Sequence, residues 1–137
     1  MQSYREKINY LNQYFYATKS LEGRYEELAR WQDLGTKLSS VSDGMPHAHD
    51  NSSSKVENAV IGLADLEQTI REEIKGLEII REEVYDVINS MPNYRHRMIL
   101  SMRYLDFMSF SRIADAIGKT ENNVYKLHKQ IIQRLDI

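Results

Sequence analysis

Ser109 to Lys129 reads Ser-Phe-Ser-Arg-Ile-Ala-Asp-Ala-Ile-Gly-Lys-Thr-Glu-Asn-Asn-Val-Tyr-Lys-Leu-His-Lys, and its punctuation predicts two short helices around a tight turn. Phe110, Ile113, Ala114 and Ile117 recur at helical spacing and mark one buried face. Gly118 follows at once, where a helix C-terminus favours a residue that tolerates a left-handed backbone. Thr120 suits the N-cap of the next helix, whose apolar stripe is Val124, Leu127, Ile131 and Leu135. Ala114 is small enough to sit where two helices cross, and Val124 and Leu127 would pin the second helix on the first. This is a helix-turn-helix pattern. A helical hairpin that packs and binds nothing would also satisfy it.

The outward positions of the second helix are Glu121, Asn122, Asn123, Tyr125, Lys126, Lys129 and Gln130. Long, polar and net basic side chains of this kind suit a helix lying in a DNA major groove. Glu121, Asn122, Asn123 and Tyr125 are the candidates for base edges, since Asn matches adenine and Glu matches cytosine. Arg103, Lys119, Thr120, Lys126 and Lys129 are the candidates for phosphate contacts, which supply affinity and salt dependence.

Upstream, 137 residues permit one domain, or one small domain with a helical extension. The formal charge of −2 conceals an asymmetry. Residues 1–92 carry 10 Lys and Arg against 16 Asp and Glu, a net −6, whereas residues 93–137 carry 8 against 4, a net +4. Any nucleic-acid contact is therefore expected at the C-terminal end alone. The absence of cysteine excludes disulfides and thiolate metal sites. No apolar run approaches membrane-spanning length and no signal-peptide pattern opens the chain, so a cytoplasmic location is expected.

Two prolines, six glycines and no sustained β-branched alternation favour an all-α chain. A first helix is expected from about Ser3 to Leu38, with Tyr4, Ile8, Leu11, Phe15, Leu21, Tyr25, Leu28 and Trp31 on one stripe. Residues 39–54 lose this periodicity and are expected to form a flexible loop. Within it, His47, His49 and Asp50 lack a fourth ligand and a rigid support, so no metal site is expected. Ser54 and Glu57 then form a capping box that opens a second helix.

That helix carries Val56, Leu63, Ile70, Leu77, Val84 and Met91 seven apart, with Ala59, Leu66, Ile80 and Val87 three beyond them. Only Glu73 interrupts the second row. Such a heptad seam predicts coiled-coil packing. Two helices of about 36 residues, roughly 54 Å each, suggest an antiparallel hairpin. A second copy or the C-terminal domain would cover what remains of the stripe, and a homodimer is expected. Pro92 suits the first turn of a further helix over Asn93–Leu105, with Met98, Ile99, Met102 and Leu105 inward and Arg95, Arg97 and Arg103 outward. The domains are thus expected at 1–91 and 92–137.

Met91-Pro92, Met98-Ile99, Arg103-Tyr104, Ser109-Phe110-Ser111-Arg112-Ile113-Ala114 and the stretch from Gly118 to Val124 together resemble region 4 of the sigma-70 family. The sequence departs from that pattern at Arg112, where the family usually has Glu, and at Gln130-Ile131, where some members have Arg-Ala. Nothing upstream resembles sigma region 2. A helical N-terminal half joined to such a C-terminus is similar to the ArpU-like and RinA-like late transcriptional activators of phages and prophages in Gram-positive bacteria. This resemblance implies a nucleoid-associated, double-stranded-DNA-binding regulator, with host RNA polymerase as a further candidate partner. A sigma-like module binding RNA polymerase or another regulator, and a small-terminase-like packaging protein, are the alternatives. No nucleophile triad, phosphate loop or metal-ligand cluster is present in the sequence, so no enzyme activity and no cofactor are expected.

Overall fold

The computed structural model describes residues 2–42 and 50–137, with side chains described outside 38–53. The described residues form six helices: α1 (Tyr4–Leu11), α2 (Gln13–Ser42), α3 (Asp50–Asn89), α4 (Tyr94–Tyr104), α5 (Phe110–Ile117) and α6 (Glu121–Arg134). The fold is all-α, as the composition predicts. The expected first helix is interrupted once, at Asn12, which caps α1 before α2 begins. A capping box of Ser3 and Glu6 starts α1.

Helix covers both ends of the expected 39–54 loop, through Ser42 and again from Asp50. Serine and asparagine are weak helix formers rather than breakers, so an established helix propagates through them. Ser54 consequently lies a full turn inside α3, and is not its cap. His47 and His49 lie outside the described residues.

The chain divides into two compact units, Met1–Thr18 with Leu77–Ile137, and Lys19–Gly76. The boundary expected at 91/92 falls inside the first of these.

In the Lys19–Gly76 unit, stretches of α2 and α3 pair antiparallel, with Arg24 meeting Glu73 and Trp31 meeting Gly62. Leu21, Ala59, Leu66 and Ile70 are buried there, so part of the heptad seam is satisfied within one chain. Glu73, the interruption in the seam, accepts a hydrogen bond from Arg24 Nε at 3.0 Å through Oε1. Its Oε2 is buried with no partner. A charged pair of this kind selects one register of the hairpin over its neighbours. Gly62 lets the Trp31 ring lie directly on the α3 backbone, since a Cβ there would come within 2.6 Å of the indole.

In the other unit, Leu11, Val84, Ile88, Met91, Ile99, Leu100, Tyr104, Ile131, Ile132 and Leu135 form one core. The C-terminal segment thus covers the lower end of the α3 stripe, one of the two solutions the sequence leaves open. Lys7 is also buried, and its Nζ donates to the Gln133 carbonyl at 3.2 Å. A cation at the last turn of α6 meets both an unsatisfied carbonyl and the negative end of the helix dipole.

Candidate nucleic-acid interface

Local chemistry sets the geometry from α4 to α6. Asn93, not Pro92, caps α4, and its side chain accepts from the amides of Arg95 and His96. Pro92 therefore stands outside the helix. Ser109 caps α5 by accepting from the Arg112 amide. Gly118 closes α5 in the left-handed conformation, with φ 70° and ψ 35°, and the amides of Gly118 and Lys119 both donate to the Ala114 carbonyl. Two residues later Thr120 caps α6, its hydroxyl accepting from the Asn123 amide at 3.2 Å. Ile113, Ala114 and Val124 are buried together at the crossing, flanked by Met102, Met108, Phe110 and Ile117. Two short capped helices thus cross over a left-handed corner, the local arrangement expected from the sequence.

The buried residues of α6 are Val124, His128, Ile131 and Ile132. Leu127, expected on that stripe, is only half-buried, and His128 takes the inner position instead. The Tyr104 hydroxyl is 2.7 Å from His128 Nε2, the two rings stack with centroids 5.7 Å apart, and Phe110 meets the imidazole edge-on at 5.0 Å. His128 Nδ1 is buried without a partner. Loss of water, reinforced by the Arg103 guanidinium, pushes the imidazole pKa down to about 4. Burial likewise raises the Tyr104 phenol well above its ordinary value. Both groups are neutral packing members at neutral pH.

Two arginines expected on the outer face of α4 are turned inward to carbonyls. Arg97 donates to the carbonyls of Met91, at 2.6 Å, and Pro92, at 3.1 Å. Arg103 donates to the Met108 carbonyl at 2.9 Å and lies 4.2 Å over the Phe110 ring. It thereby holds the turn between α4 and α5. Phe107 in that turn has φ of 56°, a conformation costly for a bulky residue. Its ring packs against Tyr14 and Phe15, each at 5.3 Å. The guanidinium proposed from sequence as a phosphate contact is therefore occupied within the fold.

The remaining candidates lie on the exposed side of α5–α6. Glu121, Asn122, Asn123, Tyr125, Lys126 and Lys129 are all exposed. Asn122, Lys126, Lys129 and Gln133, spaced four, three and four apart, share one line along α6. Tyr125 flanks that line and meets Phe110 edge-on at 5.8 Å. Glu121, Asn122, Tyr125 and Phe110 border a shallow depression at the start of the helix. Thr120 is exposed, with its hydroxyl oxygen engaged in capping. Lys119 lies apart from this line: it shares a cleft with Arg95 and His96. A ridge of carboxamides and ammonium groups on a rigid helix presents donors and acceptors at fixed spacing, as groove recognition requires.

Residues 39–136 match the family described as protein of unknown function (DUF1492). The chain belongs to this family. No curated protein and no solved structure matches it. Among the described residues, no group of three or more His, Asp or Glu side chains is placed to hold a metal, and no helix is long and apolar enough to cross a membrane.

Proposed function

We propose that this DUF1492 chain is a sequence-specific DNA-binding transcriptional regulator that acts as a dimer and lays α6 in the major groove. The observation that carries this reading is the α5–Gly118–α6 unit. Its caps and left-handed glycine fix the angle between two helices, and the second exposes Asn122, Lys126, Lys129 and Gln133 in one line. Asn122 and Glu121, near the start of α6, are the groups for base edges, with Tyr125 and Asn123 beside them. Lys126 and Lys129 are the phosphate contacts. The net +4 of residues 93–137 against −6 upstream directs this end of the chain, and not the hairpin, towards the polyanion.

The test is capture of genomic DNA fragments on the immobilised protein at two salt concentrations, followed by sequencing. Enrichment of fragments that share a two-fold site, lost when Asn122 and Lys126 are both replaced by alanine, is the expected result. Binding that those substitutions leave untouched, or no enrichment at either salt, would overturn the reading and direct the search to a protein partner.

A further inference from the structure

A cleft of about 480 Å³ opens between the first turns of α4 and the α5–α6 turn. Its apolar lining includes Met98, Ile117 and Leu127, all half-buried, while Asn93, Arg95, His96 and Lys119 supply its polar groups. No carboxylate lines it. Among the described residues, neither Arg95 nor Lys119 has a side-chain hydrogen bond or ion pair, in contrast to the engaged Arg97 and Arg103. An apolar floor under unpaired cations fits an acidic helix that carries a protruding aliphatic side chain.

The same compact unit displays such a helix. On α3, Ile79 is 59% exposed. Glu82, Glu83 and Asp86 follow at three, four and seven residues, so all four share one face. That face points away from Val84 and Ile88, which are buried in the core. The three carboxylates are exposed, and no ion pair to them is found among the described residues. A second unpartnered surface therefore carries the charge and the apolar anchor that the cleft lacks.

We infer that the α3 face around Ile79 of a second copy of this chain docks in the Arg95–His96–Lys119 cleft, and that the contact is reciprocal. A stable dimer buries about 1,200–2,000 Å² in total. Exchange in both directions, about a two-fold axis, doubles the contact and closes the assembly. The dimer forms through the unit that holds α6, so it would fix the separation of the two α6 helices. Lys119 belongs to this interface and leaves the groove side of α6 to Lys126 and Lys129. The inference deepens the dimeric regulator proposed above, yet its test needs no DNA.

The experiment is sedimentation equilibrium of the full chain without DNA, on two charge-reversed variants alone and mixed. One is Arg95→Glu with Lys119→Glu, and the other is Glu82→Lys with Glu83→Lys. The wild type should have the mass of two chains and dissociate more readily at high salt. Each variant alone should weaken dimerisation at least about ten-fold, and an equimolar mixture should restore it, which also shows that both variants are folded. A monomeric wild type, an open-ended polymer, a dimer indifferent to either variant, or a mixture that fails to recover would overturn the inference. DNA capture by a monomer would leave the DNA reading standing while this one fell.

Discussion

The Tyr104 hydroxyl lies 2.7 Å from His128 Nε2, and this contact joins α4 to the inner face of α6. Phe110 closes the imidazole from the side and is itself covered by the Arg103 guanidinium. One polar contact and three aromatic rings thus seat α6 on the two preceding helices, on the side opposite its exposed ridge.

Acid should loosen this seat. The imidazole is neutral in the fold, with its pKa near 4, whereas the unfolded chain takes up the proton near pH 6.5. A depressed folded value means that stability is full above about pH 6.5 and is lost as the pH falls towards 4, by up to roughly 3 kcal/mol. Urea unfolding of wild type and His128→Gln across that range checks it. The variant should be less stable at neutral pH but have a flatter acid limb, and parallel limbs would exclude the imidazole as the cause.

Arg103 should matter to stability and not to salt dependence. Arg103→Gln removes a charge-assisted bond to the Met108 carbonyl and the cover over Phe110. A loss of about 1–3 kcal/mol is expected, with the slope of DNA affinity against salt unchanged. A shallower slope in a fully stable variant would return Arg103 to the DNA surface.

Lys126→Ala and Lys129→Ala should do the converse. Both side chains are exposed and their removal should leave unfolding midpoints nearly unaltered. Each should reduce the logarithmic salt slope by about 1. Asn122→Ala should instead cost about 1–3 kcal/mol at the specific site with little effect on random DNA. Titrations at several salt concentrations separate these outcomes.

Gly62→Ala should destabilise the hairpin by about 1–3 kcal/mol, because a Cβ at 2.6 Å from the Trp31 ring forces the indole away. Glu73→Leu should act in the opposite direction. It restores the apolar row and removes a buried unpaired oxygen, so the melting temperature should stay level or rise. A marked fall in the second variant would show that the Arg24 pair contributes more to stability than to register.

What could be read from the sequence was local. The Thr120 cap and the Gly118 corner depend on neighbours within four residues, so the turn between α5 and α6 is recoverable by inspection. The heptad row on α3 is equally legible, and so is its fault at Glu73. Arg24 as the partner of Glu73 was not, because that pairing depends on the register of two long helices. Arg97 and Arg103 looked free because their acceptors are main-chain carbonyls in turns, which no side-chain pattern announces. His128 did leave a signal: Val124, His128, Ile131 and Leu135 run four, three and four apart, the spacing of an inner face. Its polarity hid it beside Leu127, which is half-buried, packs against the core and also lines the cleft.

Trp31 is the chain's one tryptophan, and its indole rests on Gly62 within the Lys19–Gly76 unit. Indole emission is therefore a signal from the hairpin, while phenol emission and amide circular dichroism draw on residues of both units. Melting curves followed by these probes coincide only if the two units come apart in one cooperative step. A transition recorded from tryptophan alone would describe the hairpin and leave the stability of the unit that holds α4–α6 unmeasured.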